Sequence, residues 1–196
     1  MEAGLTPEDG RRLLELARLA VGYAARREPL PSLPLASINQ TLRRDGCAFV
    51  TLTESGRLRG CIGGLEARLP LAEDVWEHAY AAAREDFRFE PVLPDELPSI
   101  ELEVSVLTEP QPLDYVDGED LKRLLRPGMD GVILSSGIRR ATFLPQVWEK
   151  IPEPEEFLDR LAEKAGLSGD TWRHGQASIQ VYQVVSFFEG HPPAGG

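Results

Sequence analysis

Hydrophobic and polar positions divide the chain into helical and extended stretches. Thr6-Pro7-Glu8-Asp9 reads as a helix start, with a capping hydroxyl, a first-turn proline and acids placed against the helix dipole. Leu13, Leu14, Ala17, Val21 and Ala24 then recur at helical spacing to about Arg27, and Pro29, Pro31 and Pro34 end the helix. Leu35 to Arg44 is read as a short helical segment. A second helix runs from Pro70 to about Arg84, with Leu71, Val75, Ala79 and Ala82 inward and Glu73, Asp74 and Glu77 outward. A third covers Pro154 to Ala165, with Gly166 as its C-cap.

Extended segments lie between the helices. Ile100 to Leu107 alternates, with Leu102, Val104 and Val106 on one face and Glu101, Glu103 and Ser105 on the other. Asp130 to Leu134 and Arg139 to Leu144 form a hairpin turned at Ser135-Ser136-Gly137, followed by a helical turn with Trp148. Glu119 to Leu125 is a short helix. Ala177 to Glu189 reads as one long strand, apolar on both faces and therefore central.

Cys47 to Thr53 and Arg57 to Gly63 form the hairpin that matters most. A three-residue turn, Glu54-Ser55-Gly56, would set Thr53 opposite Arg57. One face then carries Ala48, Val50, Leu52, Leu58, Gly60 and Ile62 and is the core face. Arg59 and Cys61 project together from the other. In that register Cys47 is only diagonal to Cys61, about 7–8 Å by Cα, beyond comfortable disulfide reach. Antiparallel hairpins interspersed with helices define an α+β fold.

Composition narrows the function. Of 196 residues, 42% are hydrophobic, enough for a sizeable core. The net charge of −11 argues against a nucleic-acid or anionic membrane partner. No apolar run approaches the ~18 residues of a spanning helix, and Met1-Glu2-Ala3-Gly4 does not open a secretion signal. Two cysteines make no disulfide framework, so a cytoplasmic protein with reduced thiols is expected. Usage rich in Leu, Arg, Glu and Pro fits a thermophile or a GC-rich mesophile. The Pro/Gly-rich residues 190–196 read as a flexible tail. No Cys/His cluster has zinc spacing and no iron–sulfur motif is present, so no metal or cofactor is expected.

The chemistry gathers at Leu58-Arg59-Gly60-Cys61-Ile62-Gly63-Gly64. A thiol becomes a nucleophile when a neighbouring cation lowers its pKa, and Arg59 is such a cation. Gly60 and Gly63 permit close approach of a ligand or of backbone. The alternative use of Cys61 is as a small packed residue. None of the three histidines, His78, His174 and His191, is tied to Cys61 by sequence, and His78 reads as structural. In Asp86-Phe87-Arg88-Phe89, acid and base two apart either fix a turn or leave Arg88 to orient an anion. Glu101 and Glu103 share a strand face, as acid/base groups or as a solvated surface.

Four segments in order resemble the AMMECR family, the A component of the AmmeMemoRadiSam system. They are Leu58-Arg59-Gly60-Cys61-Ile62-Gly63, Asp86-Phe87-Arg88-Phe89, Arg140-Ala141-Thr142-Phe143-Leu144-Pro145-Gln146-Val147, and Phe157-Leu158 with Lys164-Ala165-Gly166-Leu167. The second differs at Phe87, where the family often has proline or serine. The resemblance implies one domain over 5–189 with a larger and a smaller lobe, a largely antiparallel sheet with flanking helices, and a cleft near the hexapeptide. It implies genomic company with a Memo-type protein and a radical-SAM enzyme. It selects Arg59, Cys61, Asp86, Arg88 and Thr142 as functional. The combined expectation is an enzyme or enzyme subunit acting on a small anionic substrate. Cys61 and Asp86 are its catalytic candidates, and Arg59, Gly60, Gly63, Arg88, Glu103 and Thr142 bind substrate. The alternative is a non-catalytic adaptor for the same partners.

Overall fold

The computed structural model describes residues 4–175 and 177–189, the side chain of His174 excepted. The proposed tail, residues 190–196, lies outside the described residues. The elements in chain order are α1 (Pro7–Ala25), β1 (Asp45–Gly46), β2 (Ala48–Glu54), β3 (Arg57–Gly63), β4 (Leu69–Pro70), α2 (Leu71–Arg84), β5 (Ile100–Leu107), β6 (Gln111–Pro112), α3 (Gly118–Leu124), β7 (Gly131–Ser136), β8 (Arg139–Phe143), α4 (Pro154–Lys164), β9 (Ser178–Tyr182) and β10 (Val184–Phe188). The fold is α+β with antiparallel sheets. Two compact units divide it. The first runs to Leu107 and resumes at Val185; the second is Thr108–Val184.

In the first unit the sheet order is β10-β5-β2-β3, which leaves β3 at an edge. Ala48, Val50 and Leu52 of β2 and Leu102, Val104 and Val106 of β5 bury one face against α1 and α2. Thr6 closes a capping box with Asp9 at the start of α1, a device contributing about 1 kcal/mol. Gly10 leaves room for Phe187 of β10, since a Cβ there would collide with that ring. The second unit has order β6-β9-β7-β8, with β8 at an edge. Its own core includes Leu121, Val132, Leu134, Phe157, Leu161 and Trp172, and Trp148 stacks on Phe157 with centroids 3.6 Å apart.

Several expectations change. The β2–β3 turn has two residues, Ser55 and Gly56, both at positive φ (51° and 73°), as an I′ turn requires. Parity is restored by a bulge. Thr53 pairs with Leu58 but Leu52 with Gly60, so the ladder skips Arg59. Leu58 thereby moves off the core face and is exposed. Cys61 opposes Thr51, four residues along from Cys47, and both cysteines are free.

The long final strand is two strands. β9 lies inside the second sheet and β10 edges the first, so its apolar residues serve two cores. Residues 35–44 hold a short 3-10 helix, Leu35–Ser37, and hydrogen-bonded turns at 39–44 rather than one helical segment. Asp74 is buried rather than solvated. It accepts from the Ala48 N–H at 2.9 Å and holds His78 Nδ1 at 3.1 Å, because the start of β2 needs an acceptor there.

Candidate functional site

The bulge decides where the candidate side chains go. β3 alternates into the core at Gly60 and Ile62 and outward at Cys61. Gly60 is where α2 crosses, and a Cβ would strike the Ala82 carbonyl oxygen. Gly63 lies under the ring of Phe49, which a Cβ would also strike. Both glycines therefore have a packing reason in the fold. Arg59, released from the ladder, forms a forked pair with Glu96 (2.8 and 3.1 Å) and donates to the Glu90 carbonyl at 2.8 Å. This guanidinium holds the Glu96 carboxyl below the usual range.

Cys61 is clamped through its backbone. As an edge residue in a non-hydrogen-bonded pair with Thr51, it points its N–H and C=O away from β2. The N–H donates to Asp86 Oδ2 at 2.9 Å, and the carbonyl accepts from Arg88 Nη2 at 3.1 Å. Arg88 closes the ring on Asp86 with Nε at 2.9 Å and Nη2 at 2.6 Å, and its own N–H donates at 3.2 Å. The acid and base thus imitate a missing strand. The Arg88 bonds hold the Asp86 carboxyl well below its ordinary range against the opposing effect of burial, and the Cys61 N–H adds to them. Arg88 is raised in turn by its bonds to Asp86.

The Cys61 side chain faces a polar row. Thr51 stands opposite Cys61 on one side and opposite Glu103 on the other. Its hydroxyl donates to Cys61 Sγ at 3.2 Å. Glu103 Oε1 accepts from Ser105 at 2.7 Å and Ser186 at 3.0 Å, and the two hydroxyls are 2.8 Å apart. Cys61 and Glu103 are two interstrand spacings apart, about 10 Å by Cα. Thr51, Ser105 and Ser186 were missed from sequence, because a hydroxyl on an outward strand face carries no signal of its neighbours. Cys47 is buried and its thiol is pushed up to about 11, first by that burial and then by the Asp74 carboxylate. His78 is tied to Asp74 beside Gly64; His191 and the His174 side chain lie outside the described residues.

Thr142 belongs to the second unit. Gly131 leaves the space in which the Tyr182 ring lies, and the Tyr182 hydroxyl meets Thr142 Oγ1 at 3.0 Å and the Phe143 carbonyl at 3.2 Å. Lys164 donates to the Thr142 carbonyl at 2.9 Å and lies over the Phe143 ring. Among the described residues no group of three or more His, Cys, Asp or Glu is placed to hold a metal ion, and no helix is long and apolar enough to cross a membrane.

The fold and this site define a two-unit α+β protein with a thiol-bearing sheet face behind an Asp–Arg clamp. The family model AMMECR1 matches residues 14–187, and the chain belongs to that family. A protein of Thermofilum pendens is 39% identical, over 96% of this chain and 93% of its own length. One of Methanothermobacter thermautotrophicus is 38% identical, over 95% and 97%. The crystal structure of PH0010 from Pyrococcus horikoshii superposes with a TM-score of 0.77 at 32% identity, covering 96% of this chain and 95% of that one.

Proposed function

We propose that the protein is an enzyme or enzyme subunit that handles a small ligand on the outward face of the first sheet. Cys61 serves as nucleophile or acid/base and Glu103 as the assisting carboxylate. The reading rests on one observation: Cys61, Thr51 and Glu103 stand side by side in register on the face turned away from the core. Asp86 accepts four hydrogen bonds, so its role is to position Cys61. Arg59 is paired with Glu96, so an anionic part of the ligand falls to Arg88, whose Nη1 makes no hydrogen bond among the described residues. Gly60 and Gly63 shape the strand that carries the thiol. Family membership supports work alongside a Memo-type protein and a radical-SAM enzyme.

The test is the rate of Cys61 alkylation by iodoacetamide across pH in the wild type, Thr51→Val and Glu103→Gln. The reading expects Cys61 of the wild type to be alkylated faster than a free cysteine and more slowly in both variants. A free-cysteine profile, the same in all three, would overturn it.

Phe87 favours a second reading, a non-catalytic adaptor for those partners. It is 95% exposed between the two clamp residues, an apolar side chain offered to solvent. Cys61→Ser separates the two, since an adaptor tolerates it and a thiol enzyme does not. Co-expression that recovers neither partner counts against the adaptor.

A further inference from the structure

We infer that residues 29–34 are a preformed polyproline II ledge that docks into an aromatic-lined groove of a partner protein. The inference goes beyond the reading above and does not depend on Cys61. Residues 28–34 belong to no helix, strand or turn. Their chemistry still leaves them few conformations. Pro29, Pro31 and Pro34 hold φ at about −65°, and Glu28, Leu30 and Leu33, each followed by a proline, are driven to extended backbone. Ser32 alone escapes both constraints.

Burial supplies the period. Leu30 and Leu33 pack against the core of the first unit, while Pro29, Pro31, Ser32 and Pro34 are exposed. A spacing of three is the polyproline II repeat, whereas a strand buries alternate residues. The carbonyls follow the same period. Those of Glu28 and Pro31 accept from the Tyr80 hydroxyl at 3.2 Å and from Trp76 Nε1 at 2.9 Å, and these two donors lie one turn apart on α2. The segment ends at Pro34, whose ψ of 83° leads into the 3-10 helix Leu35–Ser37.

The outer side of the segment is what a partner meets. Pro31 and Pro34 stand three apart on one exposed ridge. The carbonyls of Pro29, Leu30 and Ser32 accept no hydrogen bond among the described residues. A proline ridge with open carbonyls beside it is what a groove of aromatic rings with indole and phenol donors recognises. Because α2 and the two leucines already hold the segment, binding avoids the ordering cost that a free peptide meets. Arg27 adds a charge. It is exposed, stands at a positive φ of 59° and makes no ion pair among the described residues, so it complements an acidic rim on the groove.

The test titrates the isotope-labelled protein with two purified readers of polyproline II, an SH3 domain and a WW domain, and follows amide shifts by NMR. The inference expects at least one reader to shift Leu30, Ser32 and Leu33, at least about tenfold more tightly than it binds a free peptide of residues 26–35. Pro31→Ala/Pro34→Ala removes two exposed rings and leaves the carbonyl that Trp76 binds, and should weaken binding about tenfold. Arg27→Gln leaves the prolines alone and should weaken binding less, and only at low salt. No shift with either reader, shifts confined to other surfaces, or a free peptide that binds as tightly as the protein would each overturn the inference.

Discussion

Both units place one of the family-like segments on the edge strand of a sheet, and both cap that edge, but by different chemistry. In the first unit the hexapeptide lies on β3, and Asp86 and Arg88 bind both backbone groups of Cys61. In the second, Ala141 to Phe143 lies on β8, and Lys164 at the end of α4 binds the Thr142 carbonyl. Arg139, on the same strand just before that segment, also donates to the Gly166 carbonyl. Each pair of segments is thus one edge and its cap, a structural use that invokes no ligand. The difference lies in what remains over. In the second unit the Thr142 hydroxyl is engaged by Tyr182. In the first, the clamp binds both backbone groups of Cys61, and its side chain stays on the outward face in register with Thr51 and Glu103.

The comparison breaks most visibly at the clamp. Asp86→Ala strands the Cys61 N–H and unpairs Arg88, and should cost about 3 kcal/mol in urea denaturation. Lys164→Met, the matching change in the second unit, removes one exposed bond and should cost under about 1 kcal/mol. Equal losses would erase the distinction.

Glycines give the next contrast. Gly60→Ala drives a methyl into the α2 backbone, which cannot move aside, for about 2–3 kcal/mol. Gly131→Ala meets the Tyr182 ring instead, which can tilt at about 1–2 kcal/mol, and should weaken the Thr142 contact in the process. Thermal denaturation of the two variants side by side ranks them.

Acid should weaken the clamp in a defined direction. The Asp86 carboxyl is held well below its ordinary value in the folded protein, so its contribution is complete above the unfolded value of about 3.9. It fades as pH falls through the folded value. The stability gap between wild type and Asp86→Ala should therefore stay constant at neutral pH and narrow below about pH 4. A gap that narrows between pH 8 and 6 would point to a different group. The smallest expected effect is Thr142→Val, about 1 kcal/mol, with no change in Cys61 alkylation.

The elements that carry a strong period were legible in sequence. α1, α2 and α4 announce themselves through apolar spacing and proline starts, and β5 through alternation. The hexapeptide, Asp86 and Arg88 were legible as unusual residue groupings. Their joint use was not, because Asp86 lies 25 residues from Cys61 and only the edge position of β3 brings them together. The Arg59 bulge was hidden for a related reason: two-residue and three-residue turns fit the same letters, and only the sheet reveals the skipped residue. Asp74 looked solvated because nothing in α2 shows that the Ala48 N–H needs an acceptor. The last strand looked central because two half-exposed faces and one buried strand produce the same apolar run.

Amide exchange at Cys61 tests the central claim most directly, that the Asp86–Arg88 clamp holds the backbone of an edge residue. By NMR, the Cys61 amide of the wild type should exchange as slowly as a paired strand amide, and at least about tenfold faster in Asp86→Ala, with amides of β7 unchanged. A Cys61 amide that exchanges at the rate of an open edge in the wild type, or one indifferent to the loss of Asp86, would contradict it.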